Sequence, residues 1–182
     1  MYGQRWNAMN RNTTDFRTDF RRLGIAALMF GLLAGCAGYT PDGVRNGQTA
    51  DEVARLMGPP TGRYALAGGG QRLEYARGPY GKHTYMIDLD ASGRVTGWDQ
   101  VLTEINFNSL PTGMTRDEVL VRIGRPSERF YIGWQQRDVW VYRYPINECQ
   151  WFMVSMGREG RVVDMGYGID RRCDPGGKER SS

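Results

Sequence analysis

Two stretches of this chain carry the same succession of polar and apolar positions. Gly47-Gln48-Thr49-Ala50-Asp51-Glu52-Val53 leads to Gly58-Pro59-Pro60, and Gly113-Met114-Thr115-Arg116-Asp117-Glu118-Val119 leads to Gly124-Arg125-Pro126, at a constant offset of 66 residues. Each predicts one short helix, at 49–57 and 115–123. Thr49 with Glu52, and Thr115 with Glu118, have the spacing of a capping box, in which hydroxyl and carboxylate satisfy each other's backbone N–H groups. Val53, Leu56 and Met57 share one helical face, as do Val119, Leu120 and Ile123. Gly58 and Gly124 suit the turn that ends a helix, and Pro60 and Pro126 cannot continue one. A repeat of this length signals two copies of one supersecondary unit.

Behind each helix the period changes to two. Strands are expected at 63–66, 72–75, 84–89 and 94–98, with a loose turn at Gly68-Gly69-Gly70 and a hairpin turn at Asp90–Gly93. Tyr85, Ile87 and Leu89 lie on one face of the third strand. A connector, Leu102–Pro111, has room for a short leading helix. The second copy then repeats the order, with strands at 129–132, 138–144, 150–156 and 161–165 and turns at Gly133–Gln136 and Gly157–Gly160. Gly93-Arg94-Val95 matches Gly160-Arg161-Val162 at offset 67, so the repeat includes strands as well as helix. Trp140, Tyr142 and Tyr144 share one face of their strand, and Val139 and Val141 share the other. Either face can pack against the helix. If the valines do, the aromatic row becomes a partner-binding surface of the hot-spot type; if the aromatics do, they are core.

The start of the chain follows neither period. Arg21-Arg22 precedes eleven uncharged residues, Leu23 to Leu33, which suit a signal-peptide core and are too few to span a bilayer. Leu33-Ala34-Gly35-Cys36 resembles a bacterial lipobox. That resemblance implies cleavage before Cys36, lipidation of its sulfur and acylation of the new amine. Ala37, rather than aspartate, follows the cysteine, which in Gram-negative lipoproteins implies the outer membrane. Met9 is a second candidate start. The formal charge of +4 over 182 residues invites a nucleic-acid reading, yet residues 1–35 hold five arginines against two aspartates. The remainder is close to neutral, without the clustered charge that phosphate binding needs.

Other chemistry finds little support. Gly81-Lys82-His83-Thr84 lacks the leading glycine of a phosphate loop, since Ala76 stands there. His83 is the only histidine, and pairing it with Cys149 or Cys173 as a nucleophile is formally open. A surface histidine with a Cys149–Cys173 disulfide accounts better for the three residues. The two cysteines flank the last hairpin, and a bridge there would stabilise by about 3 kcal/mol in the chain-entropy model. No residue set suggests a metal, a cofactor, a small-molecule substrate or acid–base catalysis.

The two Gly-x-Thr-x-x-Glu-Val…Gly-x-Pro segments, at Gly47–Pro60 and Gly113–Pro126, resemble the SmpA/OmlA (BamE-like) family of outer-membrane lipoproteins, here in tandem. The likeness covers about residues 45–101 and 112–168. It implies an α+β fold of two helix-plus-antiparallel-sheet units, of the type that also builds β-lactamase inhibitory protein. The expected segments are a signal peptide at 1–35, a lipid anchor and tether at 36–46, units at 47–104 and 105–173, and a flexible tail at 174–182. The expected role is that of a non-enzymatic binding or scaffold module on the periplasmic face of the outer membrane. The family implies contact with other β-barrel assembly lipoproteins and anionic phospholipid, and a function in barrel assembly or envelope integrity. The alternative is a periplasmic inhibitor that blocks a partner enzyme with its sheet face.

Overall fold

Both helices form where their caps place them. In the computed structural model, which describes residues 38–170 and 172, helix α1 spans Ala50–Met57, α2 spans Glu104–Asn108 and α3 spans Arg116–Ile123. The Thr49 N–H donates to Glu52 Oε2 at 2.7 Å and the Glu52 N–H to Thr49 Oγ1 at 3.3 Å. Thr115 and Glu118 repeat this at 2.7 and 3.3 Å. The N–H bonds from the caps hold both carboxyls below the usual glutamate range. Gly58 and Gly124 close the helices at φ of +78° and +76°, a conformation that glycine adopts without a Cβ clash.

The strands are β1 (Gly62–Ala65), β2 (Gln71–Arg77), β3 (His83–Leu89), β4 (Val95–Gln100), β5 (Glu128–Ile132), β6 (Arg137–Tyr142), β7 (Gln150–Met156) and β8 (Val162–Ile169). They form two antiparallel meanders, β1-β2-β3-β4 and β5-β6-β7-β8. The step from offset 66 to 67 falls between the first two strands: Ala65 pairs with Gln71, whereas Tyr131 pairs with Asp138, one residue later. The Gly-Arg-Val segment of each unit has a mechanical role. Arg94 donates to the Gly47 carbonyl and Arg161 to the Gly113 carbonyl, both at 2.8 Å. Val95 N–H and Val162 N–H donate to the carbonyls of Gln48 and Met114. The last strand of each sheet thereby fixes the start of its own helix.

The expectation of an α+β fold built from two helix-plus-sheet units is overturned. Eight strands in two antiparallel sheets dominate the described residues, and the three α-helices are of eight, five and eight residues, so the fold is β-rich. Likeness in fold to β-lactamase inhibitory protein falls with that expectation. The reason is one of scale. An eight-residue helix is only about 12 Å long, and capping signals announce it loudly without making it a large part of the core.

Nor are the two units self-contained. Val53 and Met57 of α1 join Leu73, Tyr75, Ile87 and Leu89 in one core. Val119 and Ile123 of α3 join Tyr142, Phe152, Val154 and Met156 in the other, together with Met86 from the opposite face of the first sheet. Helix α3 therefore lies between two sheets. Arg72 of β2, paired with Asp88 at 2.6 Å, donates to the Val121 carbonyl at 2.9 Å. From the other side the Tyr142 hydroxyl donates to the Gly124 carbonyl at 3.0 Å. Below Gly124 sits Glu74, fully buried, which accepts from the Thr61 hydroxyl at 3.0 Å and from the Tyr64 hydroxyl. Burial first, then the bond to Glu74, raises the Tyr64 phenol above its ordinary range.

The cysteine, signal-peptide and tail expectations at residues 1–37 and 173–182 lie outside the described residues. Two substitutions test the framework. Thr115→Ala removes the α3 cap and should cost about 1 kcal/mol in urea unfolding. Gly124→Ala should cost about 2 kcal/mol or more, because an added Cβ combines positive-φ strain with contacts of 3.0 Å to Thr84 Cγ2 and 3.1 Å to Met86 Cε.

Candidate functional site

The aromatic row proposed as a surface is buried. Trp140, Tyr142 and Tyr144 are 2%, 0% and 3% exposed, so the partner-surface reading of these residues is withdrawn. They face α3 and α2. Phe107 of α2 stacks on Phe152 with ring centroids 4.3 Å apart and meets Tyr144 edge-on at 5.2 Å. The Tyr144 hydroxyl lies 2.9 Å from Gln150 Oε1 and 3.2 Å from Glu104 Oε1, and burial together with Glu104 pushes it up to about 12. The Trp140 indole donates to Asp138 at 3.0 Å.

The other side of the second sheet carries the candidate site. Period two sends Phe130, Val139, Val141, Trp151 and Met153 to this outer face. Gly166 and Gly168 of β8 lie opposite Met153 and Trp151 and bring no side chain beyond Cα. A groove of about 650 Å³ results, lined by Glu128, Phe130, Arg143, Trp151, Met153, Gly168, Ile169 and Arg172. Phe130 and Ile169 stand exposed on its rim.

A buried ion cluster forms one end of the groove. Arg143, 3% exposed, donates from Nε to Asp170 Oδ2 at 2.5 Å and from Nη2 to Asp170 Oδ1 at 3.1 Å and Glu128 Oε2 at 3.2 Å. Its guanidinium lies 5.3 Å from the centroid of the Trp151 ring. The bonds from Arg143 hold the Asp170 carboxyl below its ordinary range against the opposing effect of burial. The two bonds to Asp170 hold the Arg143 fork in one orientation, with its charge within cation–π range of Trp151.

The remaining candidates are scattered. His83 Nδ1 is 2.8 Å from the Tyr39 hydroxyl. Cys149 is disulfide-bonded, which leaves no thiol for a nucleophile pair, and Cys173, its expected partner, lies outside the described residues, as does Cys36. Gly81 belongs to a short 3-10 turn, Pro79–Gly81, rather than a phosphate cradle. Among the described residues no three His, Cys, Asp or Glu side chains are placed to hold a metal ion, and no helix is long and apolar enough to cross a membrane.

Sequence reasoning missed Phe130, Trp151, Met153 and Ile169. A signal existed: Trp151-Phe152-Met153-Val154 and Val139-Trp140-Val141-Tyr142 are apolar at every position. Continuous apolar runs mark strands with two hydrophobic faces.

No family model matches this chain, and no curated protein does. Among solved structures, the crystal structure of an extracellular protein containing a SCP domain from Bacillus anthracis str. Ames is similar over 68% of this chain and 44% of its own length. The identity is 12% and the TM-score 0.23, a likeness too slight to bear on fold or function. This chain spans less than half of that protein.

The ion cluster yields a pH prediction. Because the folded-state pKa of Asp170 is depressed, its stabilisation is present above the unfolded value near 3.9 and is lost as pH falls through the folded value. Asp170→Asn should cost about 2–3 kcal/mol at pH 7 and flatten the acid limb of stability against pH, measured as urea midpoints between pH 7 and pH 2.

Proposed function

We propose that this chain is a lipoprotein anchored through Cys36 to the periplasmic face of the outer membrane, acting as a non-enzymatic binding or scaffold module in β-barrel assembly or envelope integrity. The observation that carries this reading is Leu33-Ala34-Gly35-Cys36 directly behind eleven uncharged residues and an arginine pair. One acyl chain binds a membrane only marginally, whereas two or three hold stably. Support for the assembly role comes from the doubled Gly-x-Thr-x-x-Glu-Val…Gly-x-Pro residues that resemble the SmpA/OmlA family. It rests on those motif residues and not on the fold. Other assembly lipoproteins and anionic phospholipid are the partners this reading implies.

The outer groove of the second sheet favours one competing reading, a periplasmic inhibitor that engages an enzyme through that face. The identity of what co-purifies from gently solubilised membranes separates the two. Barrel-assembly subunits support the scaffold, and a single soluble enzyme supports the inhibitor.

The anchor itself has a direct test. Cys36→Ala should abolish the mass increment of a diacylglyceryl group and an acyl chain, and should move the protein out of the outer-membrane fraction. Retention in that fraction, with no lipid found on the wild-type protein, would refute the reading.

A further inference from the structure

The first described residue is already bound to the body. The Gly38 N–H donates to the Leu56 carbonyl at 2.7 Å, the Tyr39 hydroxyl lies 2.8 Å from His83 Nδ1, and Pro41 and Val44 are buried. Gly38–Val44 stands at offset 66 from Glu104–Leu110, so it leads into α1 as α2 leads into α3. It covers less. Pro41 holds the position of Phe107, the ring that packs on Phe152 and Tyr167 of the second sheet. On the first sheet Tyr39, His83, Tyr85 and Trp98 follow one another ring to ring, with centroids 5.6, 6.4 and 6.1 Å apart. Both ends of this row are open, Tyr39 at 46% and Trp98 at 43% exposure. Leu56, whose carbonyl holds Gly38, is 40% exposed.

Covalent geometry then limits any anchor on Cys36. That cysteine is two residues before Gly38, and two trans peptide units span less than about 8 Å between Cα atoms. A lipid on Cys36 would therefore enter the bilayer within a few ångströms of the chain that Leu56 and Tyr39 hold. So short a lead leaves no room for the body to stand off, and the surface around Gly38 is the one that meets the membrane. Its exposed residues suit that place. Tyrosine and tryptophan, with an apolar ring and a polar tip, settle at the level of the lipid headgroups, and a leucine beside them loses contact with water.

We infer that the body lies against the bilayer surface through Leu56, Tyr39 and Trp98, in one fixed orientation rather than swinging on a free lead. This rests on the Cys36 anchor proposed above and adds to it the seat and the direction of the body. The remote end follows from α3. That helix finishes at Gly124, against Thr84 and so beside His83, and starts at Arg116, which reaches Asp138 at 3.4 Å, next to the β5–β6 turn. Over eight residues it carries the chain about 12 Å away from the seat. The β5–β6 turn, with Trp134 85% exposed, lies at that far end. Because the seat is apolar and aromatic, it requires no particular headgroup charge.

The test uses the acylated protein, purified from membranes and placed in lipid vesicles. A fluorophore is attached to Arg55→Cys, beside Leu56, or to Trp134→Cys, both at exposed positions, with the unsubstituted protein labelled in parallel to measure background. Lipid spin-labelled near the headgroup should quench the fluorophore at position 55 several-fold more than the one at 134. The difference should be the same in phosphatidylcholine alone and with phosphatidylglycerol added. Leu56→Glu and Trp98→Glu, each combined with Arg55→Cys, should reduce the quenching. Circular dichroism confirms that each is folded, and Tyr39→Glu replaces either one that is not. Protein that floats with the vesicles but is quenched equally at 55 and 134 would overturn the inference and leave the anchor standing. Quenching that appears only with phosphatidylglycerol would also overturn it, since headgroup charge would then make the contact. Protein that carries no lipid and stays off the vesicles would overturn the anchor and the inference together.

Discussion

The outer face of the first sheet and the inner face of the second meet at Gly124. Its φ of +76° ends α3, and an added Cβ there would lie 3.0, 3.1 and 3.3 Å from Thr84, Met86 and Glu74. Its carbonyl accepts the Tyr142 hydroxyl from the second sheet. One residue without a side chain is thus the place where two sheets approach the same helix end. The close approach explains why the polar groups around it are arranged as they are. Glu74 is fully buried, and the hydroxyls of Thr61 and Tyr64 donate to its carboxylate. A buried carboxylate is tolerable only when it is hydrogen-bonded. The same carboxylate raises Tyr142 further, beyond what burial alone does.

The helices are small and the sheets large, and this sets how stability is shared. An eight-residue helix is marginal alone, since nucleation costs more than so few hydrogen bonds return. Three devices offset that weakness in each unit: the capping box, the positive-φ glycine, and the arginine just before the last strand, which reaches the carbonyl two residues before the cap. Arg94 and Arg161 make the last contact at 2.8 Å in both units. The helix start is therefore tied to the final strand of its own sheet, so helix and hairpin are expected to form together rather than in sequence.

Much of this was legible in the chain. Helix positions were, because Thr49, Glu52, Thr115 and Glu118 interact within a single turn, and local hydrogen bonds leave local patterns. Strand order was legible for the same reason, since hairpin turns such as Asp90–Gly93 are short. Strand ends were less so: β8 runs on to Ile169, through Gly166 and Gly168, residues that weaken a strand pattern. The fold class was misjudged because a sharp capping signal says where a helix begins and nothing about how much core it covers. The side of β6 that faces α3 was not legible at all. Trp140, Tyr142 and Tyr144 alternate with Val139 and Val141, both faces are apolar, and only the long-range contact with Phe107 and Gly124 decides between them.

That ambiguity in β6 is itself informative. A strand with one wet face has a polar row, and β2 has one, with Arg72 and Glu74 facing the segment of chain that later covers them. In β6 the corresponding positions are Val139 and Val141, so the sequence keeps the second sheet dry on both sides. Within the first sheet the polar row works because each group finds a partner inside the chain: Asp88 for Arg72, Tyr64 and Thr61 for Glu74. On the second sheet Val139 and Val141 are themselves buried, at 2% and 0% exposure, and as apolar groups they need no such partners.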